Sequence, residues 1–203
     1  MKGPLILLVA ILALYPTELS AGQKDCNTPY RGRYINYDHG YSFTVPKGYS
    51  GQWQSPCSYD DDQRQCICMG SHGLYISITQ SSGINVFSSY PTDIDEEKPT
   101  QARILASMVA EQREAAKGLG ATSFAVDTVL IKANWARRIS MRWFDDDLRL
   151  PMRKVSYQFV THVYGSRWPS AELTLSLVAP EAEFETRLPL LTETIESFKW
   201  LKD

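Results

Sequence analysis

The sequence predicts an α+β domain, a mainly antiparallel sheet packed by two helices. Three observations carry this. Several segments alternate apolar and polar residues with a period of two, most cleanly 73–79, 136–144 and 171–178. Two other segments, 101–119 and the stretch after Pro180, repeat apolar residues every three to four positions. The order of strands, helix, four strands and helix suits helices packed on a mainly antiparallel sheet.

The chain has 203 residues and opens on a targeting pattern. Met1-Lys2 is a short positive start, Leu5 to Leu14 is an unbroken apolar run, and Ser20-Ala21-Gly22 offers small residues for cleavage. That is the layout of a secretory signal peptide, and the run falls short of the about 20 apolar residues that a membrane span needs. Residues 1–21 are read as the signal peptide and 22–203 as a single globular domain, secreted or periplasmic. Gln23-Lys24-Asp25 separate the small residues from Cys26, which argues against a lipid anchor. No later stretch is apolar enough to span a bilayer, so no integral span is expected after cleavage. The formal net charge is −2, with no block of five like charges, which speaks against a nucleic-acid partner.

Taken in order, 33–37 and 41–45 read as a small hairpin about Asp38-His39-Gly40. Pro46-Lys47-Gly48 is a turn, 48–62 is mostly loop, and 65–69 is a strand. In 73–79, Leu74, Ile76 and Ile78 share one face. Residues 80–100 read as one long irregular segment, and loops of that length tend to be functional or mobile. In 101–119, Ile104, Leu105, Met108, Val109, Ala115, Ala116 and Leu119 make one apolar face. Thr100 caps its start, and Gly118 and Gly120 end it. Strands follow at 124–131, 136–144, 155–164 and 171–178, with Asp145-Asp146-Asp147 as a turn. In the last strand Leu173, Leu175 and Leu177 face inward and Glu172, Thr174 and Ser176 outward, as in a sheet with one face covered. Glu181 and Glu183 begin the second helix at the positive end of its dipole. Its apolar stripe is Phe184, Leu188, Leu191, Ile195 and Phe198.

The four cysteines, Cys26, Cys57, Cys66 and Cys68, lie in the N-terminal third. An even number in an exported chain favours disulfides, and four allow three pairings. Cys66 and Cys68 share a strand face and suit each other poorly. Cys57–Cys66 with Cys26–Cys68 is favoured, and the swapped pairing stays open. Cys66-Ile67-Cys68 lacks the Cys-x2-Cys spacing common in structural zinc sites.

The stretch Tyr41-Ser-Phe-Thr-Val-Pro-Lys-Gly-Tyr49 resembles the aromatic-x-Phe-x-Val-Pro-x-Gly-aromatic opening of exported PsbP/DcrB-like domains. Thr194-Ile-Glu-Ser-Phe-Lys-Trp200 looks like their closing helix running into a Ser-Phe segment, and the element order between these ends agrees. The resemblance implies an α/β/α sandwich and a mostly non-catalytic accessory or partner-binding role. It brings no catalytic residues and no cofactor. The four cysteines and the long acidic loop depart from the family pattern.

Candidate chemistry is sparse. His39, His72 and His162 show no metal-ligand spacing and read as turn or surface residues. Ser71-His72 lacks the Gly-x-Ser-x-Gly elbow of a nucleophile. The acidic clusters 60–62, 93–97 and 145–147 do not fit the twelve-residue calcium loop, and Asp suits turns. Aromatics crowd the N-terminal third, where they either pack inward or offer a stacking surface for sugars or a protein. The expected binding surface is the long loop, with Tyr90, Asp93, Asp95, Glu96 and Glu97. These readings favour a non-enzymatic binding or accessory protein of the cell envelope whose partner is another envelope or secreted protein. An inhibitor or immunity-type protein is one version, and a secreted cation-dependent hydrolase is the alternative.

Overall fold

The computed structural model describes residues 29–36, 39–53, 58–60, 65–67, 71–89, 100–132, 134–162 and 170–201. Along the chain these form β1 (Arg33–Asn36), β2 (Tyr41–Thr44), β3 (Gly51–Trp53), β4 (Ser58–Asp60), β5 (Gln65–Ile67), β6 (Ser71–Ser77) and β7 (Gly83–Ser89). Next come α1 (Gln101–Gly118), β8 (Ser123–Ile131), β9 (Asn134–Asp145), β10 (Leu150–His162), β11 (Ser170–Pro180), α2 (Glu181–Ser197) and β12 (Lys199–Trp200). The central sheet has seven strands in the order β3-β6-β7-β11-β10-β9-β8, every neighbour antiparallel. A second sheet has the order β1-β2-β12, and β4 pairs with β5.

Alternation along β10 sends successive side chains to opposite faces, and each face meets a different helix. Gln158 donates to the Met108 carbonyl of α1 at 3.3 Å, and Lys154 donates to Gln112 at 2.9 Å. On the other face Val155 and Phe159 pack in one cluster with Phe184 and Leu191 of α2. The small sheet joins that second face through Tyr34, Tyr41 and Phe43. The fold is thus a sheet with a helix on each side, as the α+β reading holds. Ser176, expected to face outward, is buried, and so is Ser156 on the same face of β10. A packed layer thus lies on each side, as the α/β/α sandwich has it, where the alternation of the last strand alone suggested one covered face.

Local chemistry accounts for the helix ends. The Thr100 hydroxyl accepts from the Arg103 amide at 3.3 Å and caps α1. Gly120, at φ 63, turns the chain out of α1 while its amide donates to the Lys117 carbonyl. Ala115 and Leu119, expected on the buried stripe of α1, are exposed instead. The helix crosses the sheet and buries Ile104, Leu105, Met108 and Ala116. Helix α2 runs through Pro189 without ending. Phe184 and Leu191 hold it to the sheet on both sides of that residue.

The largest departure from the sequence reading is β7. Residues 83–89 were expected in a long irregular segment, yet they form a strand between β6 and β11 with Ile84 and Val86 in the core. Gly83 begins it, and the Tyr75 ring lies over its bare Cα. A Cβ there would lie 2.2 Å from the Tyr75 hydroxyl oxygen, so the Tyr75 side chain lies across the glycine. Residues 51–53 and 58–60, expected as loop, are β3 and β4, and the short C-terminal tail contains β12.

Candidate binding surfaces

The turn between β1 and β2 carries His39, which the sequence placed in a turn but left on the surface. It is fully buried. Its Nδ1 lies 2.7 Å from Ser88 Oγ on β7, and the Tyr41 hydroxyl lies 2.9 Å from the same oxygen. The His39 amide donates to Asn36 Oδ1 at 2.8 Å. A serine and a histidine at this distance have nucleophile–base spacing. Here, however, no part of either residue reaches solvent, and Tyr41 shares the serine oxygen. The group ties the small sheet to the middle of the large one. Burial pushes the Tyr41 phenol up to about 12, although hydrogen bonds from Ser88 and Asn36 pull the other way. Burial, with the nearby Tyr41, also holds the Tyr34 phenol well above its ordinary value.

Among the described residues the N-terminal aromatics pack inward and offer no free stacking surface. Tyr34, Tyr41 and Phe43 are buried, and Tyr30, Tyr49 and Trp53 pack against them. The Tyr34 ring lies 5.0 Å from Phe43 and 5.6 Å from Trp53, centroid to centroid. Tyr90, Asp93, Asp95, Glu96 and Glu97 lie outside the described residues, as do Cys26, Cys57 and Cys68. Cys66 stands in β5, opposite Tyr59 of β4. The turn 145–147 behaves as aspartates in turns do, with Asp145 Oδ1 accepting from the Leu148 amide at 2.9 Å. Among the described residues no three His, Cys, Asp or Glu side chains are grouped to hold a metal. No helix among them is long and apolar enough to cross a membrane.

Two apolar surfaces remain exposed, and the sequence reading named neither. The first is the tip of the β9–β10 hairpin. These strands outrun their neighbours, since β8 begins opposite Arg142 and β11 ends opposite Met152. Beyond those points Phe144 pairs with Pro151 and Asp145 with Leu150. Arg149, at φ 54, turns the chain back. Phe144, Leu148 and Leu150 are 52%, 44% and 39% exposed.

The second surface is the edge of the sheet at β8. There Leu130 faces Trp135 of β9, and these side chains are 58% and 60% exposed. Arg137 donates to the Thr128 hydroxyl, and Arg138 forks onto one Asp127 oxygen at 2.7 and 3.2 Å. Between this edge and the end of α2 lies a shallow, mostly apolar depression lined by Ile131, Phe159, Leu175, Ile195, Phe198 and Trp200. Lys132, beside it, is already engaged with the Glu196 and Phe198 carbonyls.

No family model matches the sequence, and no curated protein matches it. The chain shows partial similarity to several solved structures. The chain is similar to cyanobacterial PsbP (CyanoP) from Synechocystis sp. PCC 6803, with a TM-score of 0.49 and 15% identity over 83% of this chain and 91% of that one. It is similar to LpqN of Mycobacterium tuberculosis, a protein involved in cell envelope biogenesis, with a TM-score of 0.40 and 12% identity over 89% and 88% of the two chains. A Bacteroides thetaiotaomicron structure gives 0.45 and 10% over 85% of this chain, which spans about half of that protein, 49%.

One half-buried charge stands out beneath α1. Lys154 sits among Met141, Val178 and Met152, with Gln112 as its hydrogen-bond partner, and burial lowers its pKa. The unfolded chain therefore binds more protons up to the ordinary lysine value of 10.5, so stability rises with pH as this amine loses its charge. Lys154→Met, similar in size and uncharged, is expected to add on the order of 1 kcal/mol at pH 7. Urea unfolding at pH 7 and pH 10 checks it. A gain that does not shrink at the higher pH contradicts the assignment.

Proposed function

We propose that this chain is an exported, non-enzymatic binding protein of the cell envelope that engages another protein through the tip of its β9–β10 hairpin. One observation carries the reading. Phe144, Leu148 and Leu150 expose apolar side chains near the tip of a hairpin that extends past the strands on either side, Phe144 and Leu150 on its two opposite faces. Large apolar groups held on a paired scaffold lose little entropy on binding, and such anchors dominate interfaces. Asp145, Asp146, Asp147 and Arg149 surround them with charge, giving the polar rim of a protein contact. In an inhibitor or immunity-type protein the same tip serves as the inserted element. Export rests on the leader pattern of residues 1–21, and a mature N-terminus at Gly22 is expected from N-terminal sequencing of the exported product.

The test is affinity capture from envelope extract with wild type and a Phe144→Asp/Leu148→Asp variant. Both side chains are exposed, so the variant is expected to keep its urea midpoint within about 0.5 kcal/mol of wild type. A partner held by wild type is expected to fall at least about tenfold in the variant eluate, as for the loss of an interface anchor. Equal recovery from both proteins, or no specific partner for either, sinks the reading.

A further inference from the structure

We propose that β8 pairs antiparallel with β8 of a second copy of this chain, about a two-fold axis at Asp127, so that two seven-stranded sheets become one. This inference is independent of the hairpin-tip reading.

The two edges of the large sheet differ. At one end, β3 is three residues long and is closed by a bridge from Tyr30 to Gly51. At the other end, β8 is nine residues long and pairs only with β9 among the described residues. Among the described residues no strand meets the backbone donors and acceptors of its outer edge. Natural edges are usually blunted by Lys, Pro, a bulge or short length. β8 has no Lys and no Pro, and its register with β9 runs unbroken from Ser123 to Ile131.

The sequence of β8 suits its own copy. A two-fold interface must be self-complementary, each residue meeting the one equally far from the axis. About Asp127, Phe124 meets Leu130 of the second copy, Val126 meets Thr128, and Ala125 meets Val129. Phe124, Val126, Thr128 and Leu130 share one face. On that face the exposed Leu130–Trp135 pair then continues into Phe124 and Met141 of the second copy as one cross-sheet row. The exposed Leu130 thereby gains an apolar neighbour on its outer side, opposite the one on which Trp135 already pairs with it. Charge also fits. Asp127 is the single charge in the strand, and Arg138 already neutralises it through two hydrogen bonds, so the axis brings together two paired charges and not two bare carboxylates. A foreign strand would need apolar residues matched to Phe124 and Leu130, whereas a second copy brings them by symmetry.

Sedimentation equilibrium of the purified protein over a wide concentration range is the first test. A saturable monomer–dimer equilibrium is expected, with Leu130→Lys raising the dissociation constant at least about tenfold. A monomer at every concentration overturns the proposal, and so does a dimer that Leu130→Lys leaves unchanged. Hydrogen exchange gives a second reading that does not depend on a variant. Amides of β8 are expected to gain protection as concentration rises, and protection appearing on another element instead also overturns it. The Phe144→Asp/Leu148→Asp variant is expected to dimerise like wild type, which separates failure of this inference from failure of the hairpin-tip reading.

Discussion

Stability is expected to fall steeply above pH 10, through two buried phenols. Tyr41 is fully buried, and its phenol ionises near 12 in the fold against an ordinary value of 10.0. A raised pKa means that the folded state holds its proton where the unfolded chain has released it. The contribution is complete below pH 10 and is lost as pH climbs towards 12. For Tyr41 alone a two-unit difference amounts to about 2.7 kcal/mol, and Tyr34 acts in the same direction. Lys154 acts the other way below 10.5, so a shallow rise is expected before the fall. Urea midpoints at pH 8, 10 and 11.5 will trace it. Tyr41→Phe costs about 1 kcal/mol at pH 8 through its lost hydrogen bonds, and the later fall becomes shallower. The explanation fails if the variant and wild type lose equal stability between pH 10 and 11.5.

Gly51→Ala is expected to destabilise the domain by about 1–3 kcal/mol through overpacking. A Cβ on Gly51 would lie 2.4 Å from Leu74 Cδ2 and 2.5 Å from its Cγ. Leu74 is buried in the main core, so its branch point cannot swing into solvent. The added carbon moves either a core leucine or the three-residue strand β3. Since β3 also receives the Tyr30 bridge, displacing it loosens the start of the domain as well. Gly51→Ala combined with Leu74→Ala gives the check, because the smaller residue makes room and the two costs should not add. Strictly additive costs would show that the contact is not the cause.

The elements easiest to read in the sequence were those whose chemistry is local. The Thr100 cap, most of the 3.6-residue stripe of α1 and the inward leucines of β11 are set by neighbours a few positions away, and the structure keeps them, although Ala115 and Leu119 leave the stripe and Ser176 is buried. β7 escaped because Ser81-Ser82-Gly83 reads as a loop, and only Tyr75 from another strand gives Gly83 its role. β12 escaped because two residues carry no period, and its strand character comes from β2. His39 illustrates the same limit at a site. Nothing within the Asp38-His39-Gly40 turn predicts a serine forty-nine positions later at hydrogen-bond distance. The exposed residues Leu130 and Phe144 have ordinary strand surroundings, and only the place of β8 at the sheet edge and the early ends of β8 and β11 leave them uncovered.

The order β1-β2-β12 has one more consequence. Trp200 sits opposite Tyr41 and Lys199 opposite Ser42, so the last strand completes a sheet begun by the first two. The Phe198 ring, 5.4 Å from Tyr41, lies in the same stack. Any fragment that stops short of these residues keeps β2 but lacks its second neighbour and the ring beside it. The domain is therefore fastened by its own two ends. Closing so long a loop is entropically slow, and its reward arrives only with the final contacts. Such a chain finishes folding as a whole, not by adding finished parts in the order in which they are made.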